Sequence, residues 1–189
     1  MTVVIQDTRE QAPLDIQNYP VEVATLPVGD YGVKGFSDWN NPGFIVERKS
    51  LEDLCGSLGK GRARFMREIE KMRQFRFRAL LIETFRYTVR VGEYRSEMAP
   101  NAVLATLDAL SVRAGLHVYW CGTPRGAAAQ LESLVRQFVR GIEKEYKALT
   151  KAQKEPCGAA SGKGSGLLEH GEAGTQDAEP HFPEKGTER

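Results

Sequence analysis

Residues 44–54 read Phe44-Ile45-Val46-Glu47-Arg48-Lys49-Ser50-Leu51-Glu52-Asp53-Leu54. The apolar run Phe44 to Val46 predicts a strand. Ser50, followed three residues later by Asp53, predicts a helix N-cap and a short helix over Leu51 to Leu58. Upstream, Gly35 to Gly43 with Asn40-Asn41-Pro42 predicts a hairpin loop, preceded by extended chain over Tyr31 to Lys34 and a turn at Pro27-Val28-Gly29-Asp30. Val21 to Leu26 alternates apolar and polar residues, and Thr2 to Gln6 is rich in β-branched side chains, so both predict strands. Downstream, Gly59-Lys60-Gly61 interrupts the chain before a longer helix from Arg62 to about Phe77. Ala79 to Ile82 predicts a strand, Pro100 opens a helix to about Ala114, and Leu116 to Trp120 forms the next strand. Thr123-Pro124 opens a last helix reaching about Leu149. Strands alternating with helices imply an α/β domain with a mixed central sheet flanked by helices.

The 189 residues suit one domain over 1–150 followed by a tail. Residues 151–189 contain 7 of the 19 glycines and almost no apolar pattern, a composition that predicts disorder. No apolar run approaches the roughly 20 residues that cross a bilayer, and MTVVIQDTRE is not a signal peptide. Cys55, Cys121 and Cys157 are odd in number and form no CxxC pair, which argues against a zinc site or a disulfide framework and for a reducing, intracellular setting. Gly59-Lys60-Gly61 lacks the spacing of a phosphate-binding loop. Net charge is only +1, yet Lys60 to Arg95 holds 11 basic residues against 4 acidic ones, a basic face suited to a polyanion.

Asp30 and Glu47 stand beside strand signals separated by a loop, so adjacent strands can bring their carboxylates together. Two hard oxygen ligands on a rigid sheet are what a magnesium ion needs beside a phosphate. Lys49 lies two residues after Glu47 and on an extended strand projects from the same face. Its ammonium can hold a water nucleophile and offset charge building on a phosphate. Asp-x(n)-Glu-x-Lys triplets are common, and Asp30 as a turn residue with Glu47-Arg48-Lys49 as a solvated strand end is the bland alternative.

The surroundings are more particular. Gly29-Asp30 and Glu47-Arg48-Lys49 with Asp53 four residues after the lysine resemble the nuclease domain of the XPF (xeroderma pigmentosum group F) family of structure-specific endonucleases. The likeness extends to Asp7-x-Arg9-Glu10, Ser57-Leu58, Gly61-Arg62 and Leu80-Leu81-Ile82-Glu83, over roughly residues 3–145. It implies a restriction-endonuclease-like fold cutting one DNA strand near a branch, flap or fork in repair, recombination or replication, with Mg2+ or Mn2+. By this resemblance Asp30, Glu47 and the Arg48 backbone carbonyl bind metal, Lys49 positions the nucleophile and Asp53 supports the site. Asp7 and Glu10 line its far side. Arg9 and Arg48 are each either a DNA contact or an internal partner for these acids. The family also contains subunits with decayed motifs, so a catalytically silent DNA-binding scaffold is the alternative; here every acid and the lysine are present.

Arg64, Arg67, Lys71, Gln74 and Arg78 fall on one helical stripe, with Phe65, Ile69 and Met72 roughly opposite. Beside the motif, the basic stripe is expected to touch DNA phosphates without reading bases, with Arg62 reaching the scissile region. Trp39 could stack on a base, but a cap on the hairpin is the favoured reading, and His117 reads as structural. Leu131, Leu134, Val135, Phe138, Val139, Ile142 and Leu149 give the last helix an apolar face broad enough for core and interface. A homodimer, or a heterodimer with another nuclease-like subunit, is therefore expected. No helix-hairpin-helix module is evident, which fits a bacterial cytoplasm or nucleoid or a phage-infected host cell.

Overall fold

The computed structural model describes residues 1–154. Eleven elements follow in chain order: β1 (Val4–Asp7), β2 (Val21–Ala24), β3 (Tyr31–Val33), β4 (Phe44–Lys49), α1 (Leu51–Leu58), α2 (Arg62–Met72), β5 (Phe77–Ile82), α3 (Arg86–Val91), α4 (Pro100–Ala114), β6 (His117–Trp120) and α5 (Pro124–Lys154). The strands form one sheet in the order β2-β1-β3-β4-β5-β6. β1–β3 and β3–β4 are antiparallel, whereas β1–β2, β4–β5 and β5–β6 are parallel. The fold is the mixed α/β arrangement expected from the sequence.

Both faces of the sheet are covered, which explains why β4 and β5 carry nearly continuous apolar runs rather than alternation. Ile45, Leu80 and Ile82 join one core with Leu54, Phe65, Ile69, Met72 and Leu107 from α1, α2 and α4. Phe44, Val46, Ala79 and Leu81 join a second core with Ala127, Ala128, Leu131 and Val135 of α5. Strand parity then assigns the polar end of β4: Glu47 and Lys49 share the face of Ile45 towards α2, and Arg48 shares the face of Val46.

The structure lengthens β4 through Lys49, so Glu47 and Lys49 lie within the strand rather than beyond its end. It shortens the helix expected to reach Phe77, because α2 stops at Met72. The amides of Arg76 and Phe77 donate to Pro42 and Gly43 carbonyls and start β5 two residues before the expected Ala79. Arg78 therefore leaves the basic stripe; its guanidinium donates to the Ala114 and Phe75 carbonyls. Helix α3 was not anticipated, since Arg86–Val91 is short and rich in β-branched residues. Helix α5 runs to Lys154, past the expected end near Leu149 and across the expected domain boundary at 150. The disorder expected further along the tail lies outside the described residues.

Ala127, Ala128, Leu131 and Val135 are buried, and Leu134, Phe138 and Val139 pack against the same core, so most of the apolar face of α5 is used within the domain. Its far end leaves Tyr146 and Leu149 exposed. Among the described residues no helix is long and apolar enough to cross a membrane.

Candidate active site

Asp30 is held by backbone bonds on both sides. Its amide donates to the Val46 carbonyl at 2.8 Å, and its carbonyl accepts from the Asp7 amide at 2.8 Å. Its carboxylate accepts from the Arg48 amide, also at 2.8 Å, so the acid is fixed against β4 and the residue after Glu47. Gly29 makes this approach possible. Its φ of +75° suits glycine, and a Cβ there would lie 2.9 Å from the Val46 carbonyl oxygen. Gly29→Ala is expected to cost about 1–3 kcal/mol and to lower Tm by several degrees in a thermal melt. An unchanged Tm would show that the turn has other ways to close.

Glu47 and Lys49 are 7% and 8% exposed, and the Lys49 ammonium donates to Glu47 Oε1 at 2.8 Å while lying 5.1 Å from the centre of the Phe65 ring. Burial, followed by the Glu47 charge, pushes Asp30 up to about 7, against the pull of the Arg48 amide. Burial also raises Glu47, opposed by Lys49 and reinforced by Glu68 and Glu10. The two carboxylates thus resist simultaneous ionisation. They face a cleft of about 1030 Å³ whose other walls come from the residues after β1, the start of α1 and one side of α2. Among the described residues no three His, Cys, Asp or Glu converge as a closed metal cage. Two desolvated carboxylates opening on a wet cleft instead fit a hard divalent ion that keeps part of its hydration shell.

The remaining residues singled out from the sequence divide into groups. Glu10 lines the cleft and accepts from the Ala12 amide and from Arg48. Asp53 sits at the rim; its amide donates to Ser50 Oγ at 3.1 Å and its carboxylate accepts from the same hydroxyl, which is the expected cap of α1. Arg9 both lines the cleft and bonds Asp7 through Nε at 2.6 Å, with its side chain 64% exposed. It combines the two roles left open for it.

Asp7 does not line the cleft. It is 1% exposed, with its oxygens taken by Arg9 and by the Leu26 amide. Burial works upward on its pKa, but these bonds together hold it below the usual carboxylate range. Asp7 is therefore a buried anchor for Arg9 and the strand ends, a correction to its expected place on the far side of the site.

The Arg48 side chain takes the internal role, one of the two left open for it. It is 12% exposed and grips Glu83 bidentately at 2.7 and 2.8 Å, with a third bond to Glu10 at 3.2 Å. Its guanidinium is thus engaged with Glu83 and with Glu10, and Arg48 also contributes to the cleft wall. Arg64 and Lys71 line the cleft, and Arg67 joins Lys71, Arg73 and Gln74 in an adjoining hollow. Arg62 is exposed but absent from the cleft wall, which passes from Gly61 to Arg64. Two residues apart on a helix means about 200° of rotation, so Arg62 and Arg64 cannot serve the same side.

Glu68 was missed by the sequence reading. It lines the cleft, faces Glu47 electrostatically and lies 3.5 Å from Arg64. Its spacing of four residues after Arg64 places it on the same stripe, an acid among the cations.

A family model described as the ERCC4 domain matches residues 6–134. The chain is 32% identical over 142 residues to "DNA repair endonuclease XPF" of Cricetulus griseus and of Mus musculus. Those alignments use 71% of this chain but only 15% and 14% of the relatives, so the chain spans a small part of their length. The fold is similar to that of XPF from Aeropyrum pernix, with a TM-score of 0.58 and 24% identity over 82% of this chain and 74% of that one. XPF from the same organism in complex with DNA gives a TM-score of 0.57 and 23% identity, over 75% and 66% of the two chains.

Proposed function

This chain belongs to the ERCC4 domain family, and from that premise we propose that it is a DNA endonuclease that hydrolyses a phosphodiester bond near branched, flapped or forked DNA. The observation that carries the reading is the pairing of Asp30 and Glu47, both with raised pKa, at the floor of a cleft with Lys49 beside them. Asp30, Glu47 and the Arg48 carbonyl would hold Mg2+ or Mn2+. Such an ion polarises a phosphoryl oxygen and makes water a nucleophile near neutral pH.

The chain's own groups supply the rest. Lys49, held next to Glu47, is placed to orient a water molecule and to neutralise charge developing on the phosphate. Arg9, Arg64 and Lys71 along the cleft walls attract the backbone on either side of the scissile bond. Arg48, clamped by Glu83 and Glu10, keeps β4 fixed so that Asp30 and Glu47 hold their separation. Glu68 opposes indiscriminate anion binding between Arg64 and the acids.

Incubation of labelled flap, fork, splayed-arm and Holliday substrates with magnesium, manganese or chelator tests the reading. Cutting near the branch that requires metal is the expected result. Binding without cutting in every metal would instead make the chain a silent scaffold. Pairing, with itself or with a second nuclease-like subunit, is part of the same proposal. It would use the part of α5 beyond about Gly141, where Tyr146 and Leu149 remain exposed. Sedimentation at micromolar concentration should give a dimer with forked DNA present, and Tyr146→Glu with Leu149→Glu should return it to monomer. A strictly monomeric parent that still cuts at one branch position would remove pairing from the proposal.

A further inference from the structure

Trp39 is 48% exposed, yet it is firmly held. Its ring lies 5.7 Å from that of Phe75, tilted by 48°, and Phe75 is only 1% exposed. The loop carrying it is tied down: Asp38 accepts from the Asn40 and Asn41 amides at 2.8 and 2.9 Å, the Asn41 side chain donates to the Gly35 carbonyl, and Ser37 bridges to Pro42. An indole resting on the core with about half its surface left in water is a preformed aromatic platform.

Its position gives it a use. Helix α2 begins at the cleft, where Gly61 and Arg64 line the wall, and ends at Met72, whose carbonyl accepts the Phe75 amide. The acids stand beside the middle of this helix, with Lys49 over Phe65 and Glu68 facing Glu47, and from there to Met72 the helix runs about 6–10 Å. Lys71 lines the cleft and also an adjoining hollow with Arg67, Glu70, Arg73 and Gln74, the last next to Phe75 in the chain. A DNA strand held by its phosphates along these side chains runs from the acids towards Trp39. Bases inside a duplex have no free face, so only an unpaired one can stack on an indole.

We propose that Trp39 stacks on an unpaired base of a branched or single-stranded DNA a few nucleotides from the scissile phosphate, and thereby sets the offset between branch and cut. The inference rests on the DNA-cutting reading above. Its test does not require cutting.

The chain has two tryptophans, so Trp120→Phe leaves Trp39 as the only indole emitter. With chelator present, that protein is titrated with single-stranded, forked and blunt duplex DNA, while anisotropy of labelled DNA reports binding independently. Quenching of Trp39 by the single strand and the fork, but not by the duplex, is expected. In the otherwise native chain Trp39→Ala should weaken fork binding about tenfold, leave duplex binding unchanged, and spread the cuts over neighbouring positions in metal. Trp39→Phe should restore most of both. A fork that binds without changing Trp39 emission, or a Trp39→Ala variant that loses fork and duplex binding alike, overturns the inference alone. Failure of the parent to bind any DNA overturns the DNA reading and this inference together.

Discussion

Replacing Asp30 by Asn or Glu47 by Gln is expected to lower the cutting rate on the order of a thousandfold or more, because metal-assisted charge stabilisation is worth several kcal/mol. Asp30→Asn should not weaken the metal-free fold. Asp30 has its folded pKa raised to about 7, chiefly by burial and then by Glu47. A carboxylate raised in this way holds its proton more tightly folded than unfolded. Its penalty is absent below the unfolded pKa near 3.8, grows as pH rises towards 7, and is complete above that. Asn keeps an oxygen for the Arg48 amide and carries no charge. Asp30→Asn should therefore gain on the order of 3 kcal/mol at pH 8, or about 5–10 °C in Tm, and much less at pH 5. Lys49→Ala behaves differently. It should lose cutting about 10²–10³-fold and also lower Tm, since it leaves Glu47 buried without its cation. Thermal melts with chelator at the two pH values, beside rates with magnesium, separate the cases. An Asp30→Asn protein that cuts at the parent rate, or melts lower at pH 8, would contradict the site as drawn.

The second large effect concerns α2. Changing Arg64, Arg67 and Lys71 together to Ala should weaken DNA binding on the order of tenfold to a hundredfold at moderate salt and reduce the salt slope by roughly two to three. The loss should be the same for every sequence, because side chains of this kind touch phosphates. Arg62→Ala provides the contrast. It faces away from the cleft wall and should change neither affinity nor slope by a comparable amount. Anisotropy titrations over a range of salt make the comparison. A full effect from Arg62 and none from the triple variant would place the DNA on the other side of the helix.

Much of this was legible in the sequence because local signals agreed. Ser50 and Asp53 marked the start of α1, and the two-residue spacing of Glu47 and Lys49 gave their common face. Gly29 marked the turn that leads into Asp30. What remained hidden depended on residues far apart in the chain. Nothing near Arg48 revealed that Glu83, 35 residues on, would take both ends of its guanidinium. Phe75 and Phe77 continued the helical pattern of α2, and only the pairing of 76 and 77 with Pro42 and Gly43 broke it. The apolar face of α5 could be counted, but how much of it the domain's own sheet would consume could not.

The hydrogen bonds that lock Asp30 to Val46 and Arg48 have a consequence for how such a chain can diversify. The acids are registered to each other across β3 and β4 by the sheet itself. The segment from 34 to 43 connects those strands without supplying any residue to the cleft. Ser37, Pro42 and Gly43 tie its ends to the sheet, but residues 38–41 at its tip can change while the spacing of the carboxylates stays put. Selection acting on that insert, with Trp39 at its tip, can retune which DNA is held with no mutation in the hydrolytic floor. Grafted loops on this scaffold should accordingly change where cutting occurs before they change whether it occurs.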